Sequence, residues 1–162
     1  MTYHETVKKI QDLLRVNNVW FESFEHEPVR TSEDAAKVRP EYSLHQGAKA
    51  MVVRVKRSEK DKEFMMFVFP ADFKFDMKKA KEILKAKDIR FATEPEVLEL
   101  TDGVQPGGVP PFGNLFNLTT IADPSLFGNE KIIFNAGDRC FSIAMQSKDY
   151  KTLVNPRVEN IV

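Results

Sequence analysis

At 162 residues with 24 basic and 24 acidic side chains, the chain has no overall charge that would announce a nucleic-acid or membrane-surface partner. A hydrophobic content of 42% and a charged content of 30% describe an ordinary globular protein with enough chain to bury a core, and one domain over residues 1–162 is expected. Cys140 stands alone, which excludes an internal disulfide and a cysteine-built zinc site and points to a reducing, cytoplasmic setting; no apolar run reaches membrane-spanning length and no secretory leader pattern is found.

In chain order, Thr2-Tyr3-His4-Glu5 reads as a capping box, and Val7, Ile10, Leu13 and Leu14 follow at helical spacing, predicting a helix to about Asn17. Residues 19–25 are aromatic-rich and read as a strand. Thr31-Ser32-Glu33-Asp34 supplies caps and early acids for a short helix ending before Pro40. Residues 50–55 and 64–69 are apolar, β-branched and aromatic runs, and the charged segment 56–63 between them reads as an exposed hairpin loop. Asp76 caps a helix with Ala80, Ile83 and Leu84 inward and its lysines outward. Residues 89–92 form a short strand. Thr93-Glu94-Pro95-Glu96 is a second capping box, and Asp102-Gly103 ends its helix.

Three more strands are expected at 115–121, 131–134 and 139–145, with a tight turn at 135–138, a helix capped by Ser147, and a closing strand at 157–162. Helices interspersed among short-linked strands predict an α+β fold with a mixed or antiparallel sheet, curved toward a barrel and flanked by helices.

The neutral total hides an asymmetry. Residues 49–90 hold 13 Lys/Arg against 7 Asp/Glu, an excess concentrated in Lys74, Lys78, Lys79, Lys81, Lys85, Lys87 and Arg90. Such a face meets either a phosphate backbone or only water.

Four features carry candidate chemistry. Residues 103–113 pack four glycines and three prolines into eleven positions, a stiff rim with spare backbone amides, and Gly107 and Gly108 can offer N–H groups to a developing oxyanion. Lys49, between Ala48 and Ala50 at the mouth of an apolar strand, can polarise a bound group or simply snorkel to water. Thr31 and Ser32, at a helix start, can touch an anion or only cap the helix. Cys140 beside Asp138 and Arg139 can be argued as a nucleophile, with a buried strand thiol as the plainer reading. His4, His26 and His45 have no metal-ligand spacing, so neither a metal nor a cofactor is expected.

Taken together, Thr31-Ser32-Glu33-Asp34-Ala35-Ala36, Gly47-Ala48-Lys49-Ala50-Met51-Val52, Pro70-Ala71-Asp72, Arg90-Phe91-Ala92-Thr93, Gly107-Gly108-Val109-Pro110-Pro111-Phe112-Gly113 and Asn135-Ala136-Gly137 occur in the order of the YbaK/EbsC/ProX family, which the chain resembles from about residue 7 to 153. These are aminoacyl-tRNA deacylases related to the editing domain of bacterial prolyl-tRNA synthetase. The resemblance implies trans-acting hydrolysis of the ester of a mischarged tRNA, no membrane, and a synthetase as a further partner. It implies catalytic roles for Lys49 and the Gly108 backbone. Pro110 and Pro111 match the prolines that shape the family's pocket. Thr31, Ser32, Gly107 and Val109 stand as substrate contacts, as do Phe112, Asn135 and Gly137.

The family commonly carries a histidine shortly after the proline pair. Here the chain reads Phe112-Gly113-Asn114, so neither that histidine's role nor a subfamily's amino-acid preference carries over. Two rival readings stay open: a binding module with the same pocket and no turnover, and a small-ester hydrolase indifferent to tRNA.

Overall fold

A computed structural model of the chain describes residues 2–39 and 41–162; Pro40, expected to stop the second helix, lies outside them. Helix α1 runs Glu5–Val16 and buries Val7, Ile10 and Leu14 along one face. Its cap is His4 rather than the expected Thr2. The His4 Nδ1 accepts from the Thr6 amide at 3.1 Å, and Nε2, which then carries the hydrogen, donates to the Asp102 carbonyl at 2.9 Å. A ring satisfies the orphan amide and ties the helix start to a distant loop in one stroke.

Strand β1 (Phe21–Glu25) and helix α2 (Ser32–Lys37) follow as predicted, with Thr31 as the α2 cap. The long hairpin of β2 (Ala48–Ser58) and β3 (Asp61–Pro70) absorbs most of the segment expected as a loop: Lys56 pairs with Lys62 and Ser58 with Asp61, leaving only Glu59 and Lys60 at the tip. Ion pairs of Arg57 with Asp61 and Glu63 keep these charged positions compatible with a ladder.

Helix α3 (Met77–Leu84) is capped by Asp76, β4 is Asp88–Phe91, and α4 (Glu94–Leu100) forms the expected Thr93/Glu96 capping box. Only Thr119–Ala122 of the predicted 115–121 strand is extended (β5). Gly113–Phe116 winds as a 3-10 turn and Asn117, at φ +56°, breaks the run.

Strand β6 (Lys131–Asp138) passes straight through the expected 135–138 turn. The ladder bulges between Asn135 and Asp138, where Gly137 sits at φ +104°, and the chain reverses at Arg139 and Cys140 into β7 (Phe141–Gln146). Ser147 opens α5 (Ser147–Val154) as its first residue, with Gln146 at the cap; the predicted closing strand shrinks to β8, Arg157–Val158.

The strands form a mixed five-stranded sheet, ordered β4-β2-β3-β5-β8, and a three-stranded antiparallel one, β1-β7-β6. The side chains of β3 alternate between two cores, which is why Phe64–Phe69 reads as an unbroken apolar run. Met66 and Val68 face the core between the sheets, with α1 and α5, while Met65, Phe67 and Phe69 face the outer core under Phe75 and α3. The sheets do not close into a barrel. Where they come together, among the described residues, one isolated parallel bridge joins Gly47, just before β2, to Ile133 of β6.

Candidate functional site

The incomplete closure leaves a cavity of about 450 Å³, lined by residues 47–52 on one side and 133–135 on the other, with α2 and the glycine-proline loop completing the wall. Its size lies within the range of small-ligand sites. Strand β4 covers only Val53–Lys56 of β2, so the edge from Lys49 to Met51 has no strand partner among the described residues. The Val52 carbonyl accepts from the Ala92 amide at 3.0 Å. By the alternation of an antiparallel ladder, Ala50 turns its own amide and carbonyl the same way, past the end of β4 and into the cavity.

Lys49 pairs in register with Phe69 and Val53 with Phe91, so Lys49 and Phe91 project from the outer face of the large sheet, the face that carries α3. Phe91 is 49% exposed and lies 6.3 Å from the Phe75 ring. Beside it, Arg90 grips Glu96 through two hydrogen bonds of 2.7 and 3.0 Å, holding that carboxyl down to about 2 and fixing the rim at the start of α4.

The loop wall is built from backbone. Pro106 and Gly107 are the central residues of a β-turn closed by the Gly108 amide on the Gln105 carbonyl at 2.8 Å, and Gly107 has the positive φ, +92°, that the second position of a type II turn requires. The Gly108 N–H is therefore occupied and does not face a ligand. Three successive carbonyls are gripped by the β6–β7 hairpin. Pro106 accepts from Arg139 Nε at 2.8 Å, Gly107 from Asn135 Nδ2 at 2.5 Å, and Gly108 from the Gly137 amide at 2.8 Å. In a trans peptide the N–H opposes the carbonyl. The Gly107 and Val109 amides, without partners among the described residues, thus turn away from the hairpin, and both residues line the cavity.

Beneath them lies a buried polar network. Arg39, 7% exposed, donates from Nε to Ser142 Oγ at 3.0 Å and from Nη2 to Asn135 Oδ1 at 2.6 Å, and has no carboxylate partner among the described residues. The Glu27 carbonyl can only accept, so His26 Nδ1 carries the hydrogen, and Nε2 of the neutral ring lies 2.7 Å from the Ser142 hydroxyl, whose single hydrogen it shares with Asn135 Oδ1 at 3.2 Å. Burial first, and then the Arg39 charge, hold the His26 pKa below its usual value against the pull of the Glu27 carbonyl.

The unfolded chain consequently binds the more protons as pH falls below about 6.5, so stability is intact above that value and is lost as the pH falls through the folded one. We expect melting temperature to drop between about pH 7 and about pH 5, and the drop to shrink in His26→Gln. An unchanged pH profile in that variant would show that the ring is not held neutral.

Of the residues proposed from sequence, Thr31, Ser32, Lys49, Gly107, Val109 and Asn135 line this one cavity. The Thr31 hydroxyl is engaged as the α2 cap, accepting from Asp34 N–H at 3.1 Å. Pro110, Pro111 and Phe112 lie behind the wall: the Pro111 carbonyl accepts from buried Tyr150 at 2.6 Å, and Phe112 is fully buried against Phe134 and Tyr150. Gly108 and Gly137 support the wall through their mutual bond.

Cys140 is at the hairpin turn rather than within a strand, and burial raises its thiol pKa, the opposite of what a nucleophile needs. No metal-holding cluster occurs among the described residues. Arg39 was invisible in sequence, because its partners stand 96 and 103 residues away and an arginine before a proline carries no local signal.

Comparison with known proteins identifies the family and the fold. The multifunctional Ser/Thr-tRNA deacylase ProXp-y of Escherichia coli K12 is 31% identical over 156 residues, covering 96% of this chain and 92% of that protein. Two crystal structures share the fold. One, of a candidate trans-editing enzyme for prolyl-tRNA synthetase, has 23% identity, TM-score 0.79, and coverage of 99% and 98%. The other, of a hypothetical protein, has 21% identity, TM-score 0.82, and coverage of 94% and 98%. Residues 26–153 match the family described as the aminoacyl-tRNA editing domain. With most of its length accounted for in this way, the chain belongs to the aminoacyl-tRNA editing domain family.

Proposed function

We propose that the chain hydrolyses, in trans, the ester joining a wrong amino acid to the 3′ end of a tRNA, with Lys49 and the amides of Gly107 and Val109 as the groups that hold the reacting carbonyl. The observation that carries this reading is the meeting of Lys49 with the 106–109 turn on one cavity. The ester carbonyl accepts from the loop amides, water adds to the acyl carbon, and the bond to the ribose oxygen breaks as that oxygen takes a proton. Each oriented donor contributes about 2.7–4 kcal/mol where such a group has been measured in another enzyme. An aminoacyl ester is already activated, and among the described residues Glu33, at the exposed start of α2, is the one carboxylate on the cavity. We therefore assign no protein general base; the substrate's neighbouring hydroxyl and water carry the protons.

Phe91 and the lysines of α3 share a sheet face with Lys49, which supports an approach of the acceptor end across that face. Lys78, Lys81 and Lys85 are exposed and have no ion-pair partner among the described residues. Replacing all three with glutamate is expected to raise KM about tenfold or more at low salt and to flatten the salt dependence, with kcat little changed. An unaltered KM would remove tRNA from this face. The cytoplasm, where aminoacyl-tRNA is made and used, is the setting this function requires. A synthetase that hands over the mischarged tRNA is the further partner proposed, in keeping with the name of the solved relative.

The decisive experiment is a deacylation screen of the purified protein against a panel of mischarged tRNAs. Release of amino acid from at least one of them is expected. Tight binding of a non-hydrolysable aminoacyl-adenosine without turnover of any ester would favour a binding module. Equal, salt-insensitive turnover of a minimal aminoacyl ester would point to a hydrolase indifferent to tRNA.

A further inference from the structure

Arg39 is an expensive residue to place where it is. A guanidinium with 7% exposure and only neutral acceptors gains no ion pair to offset its desolvation, and burial pulls its pKa down to about 10, which still leaves it charged at neutral pH. An apolar chain of similar length would fill the same space at lower cost. What the cation adds is directionality. Arginine can only donate, and the Gly107 carbonyl can only accept.

Asn135 stands between them. Its Oδ1 takes the 2.6 Å bond from Arg39 Nη2, which obliges Nδ2 to face the loop, where it donates to Gly107 at 2.5 Å. The charge-assisted bond at one end of the amide polarises it and strengthens the donor at the other. The Gly107–Gly108 peptide is thereby pinned at both ends, by Asn135 at its carbonyl and by Gln105 at its N–H.

We propose that Arg39 is a positioning residue, which orients Asn135 from beneath the cavity and so fixes the 106–109 turn that presents its amides to the ester. The assignment rests on the deacylase reading for its effect on rate, and on the network alone for its effect on the loop. Arg39 touches no reacting atom; its influence passes through one side-chain amide. The same logic explains why asparagine is required at 135. Aspartate would satisfy Arg39 better and fail Gly107, placing a carboxylate oxygen against a carbonyl oxygen.

That contrast supplies the experiment. Arg39→Met, Arg39→Lys and Asn135→Asp are compared with wild type in three measurements: thermal melting, amide hydrogen exchange across residues 105–109, and deacylation kinetics. For Asn135→Asp we expect a melting temperature at or above wild type, because Arg39 gains a counter-ion. We also expect faster exchange of the Gly108 amide and a kcat lowered by about 100-fold, with KM changed far less. Arg39→Met should show the same exchange and kcat pattern, and Arg39→Lys should restore part of both.

A merely structural Arg39 predicts the reverse pairing, with stability lost in Arg39→Met and Asn135→Asp fully active. Retained kcat and retained loop protection in Asn135→Asp overturn the proposal, and so does loss of kcat in Arg39→Met with loop exchange unchanged. Should Arg39→Met not fold, Asn135→Asp decides alone. Should wild type cleave no tRNA in the panel, the deacylase reading fails while the exchange measurement still tests the link from Arg39 to the loop.

Discussion

Lys49→Ala is expected to lower kcat/KM on a cleaved mischarged tRNA by at least about 100-fold while leaving the melting temperature within about 1 °C of wild type. The two halves of this expectation come from different observations. Lys49 is exposed, has no ion pair among the described residues, and sits between Ala48 and Ala50, so truncation opens no buried hole and strands no counter-charge. Lys49 is nonetheless one of the residues lining the cavity, as Gly107 and Val109 are, and the role proposed for its cation is to stabilise negative charge on the carbonyl or a neighbouring phosphate. Lys49→Arg should recover only part of the loss, since a planar fork does not place its charge where a compact ammonium does. A Lys49→Ala protein that deacylates at the wild-type rate would take the residue out of the mechanism.

Gly137→Ala is expected to destabilise the fold by about 3 kcal/mol, a fall in melting temperature of roughly 10 °C for a chain of this length. The residue has φ +104°, and a Cβ there would lie 2.6 Å from Thr6 Cβ and 2.8 Å from Thr6 Cγ2 on α1. The same glycine donates to the Gly108 carbonyl, so the loop wall should loosen along with the helix contact. Pairing the change with Thr6→Gly removes the clash but not the dihedral strain. The double variant should therefore recover part of the loss, a sub-additive cycle read from thermal melts. Full additivity would place the strain somewhere other than the α1 contact.

Much of this architecture was legible in the chain because its signals are local. The Thr93/Glu96 capping box, the Asp76 cap and the β-branched runs of β2 and β3 each follow from residues within a few positions of one another. The failures were non-local. His4 caps α1 because Asp102 orients its ring from 98 residues away, and β6 runs through Asn135–Asp138 because a bulge and α1 accommodate Gly137 there. The site divides the same way. Lys49 and the glycine-proline loop announce themselves in sequence, whereas the division of labour within the loop depends on which carbonyls the hairpin captures. That capture turns the N–H groups of Gly107 and Val109 away from the hairpin, while the turn's own bond to the Gln105 carbonyl closes that of Gly108.

An uncovered strand edge is ordinarily a hazard, an invitation for another chain to add a strand and begin a fibre. Here the stretch of β2 without a partner among the described residues is short, Lys49 to Met51, and it faces a cavity that α2 and the loop also line, so it offers a foreign strand little edge to pair with. A narrow molecular end can still reach it. The cavity thus leaves backbone groups available to a ligand in a position where, on a flat sheet, they would have to be hidden.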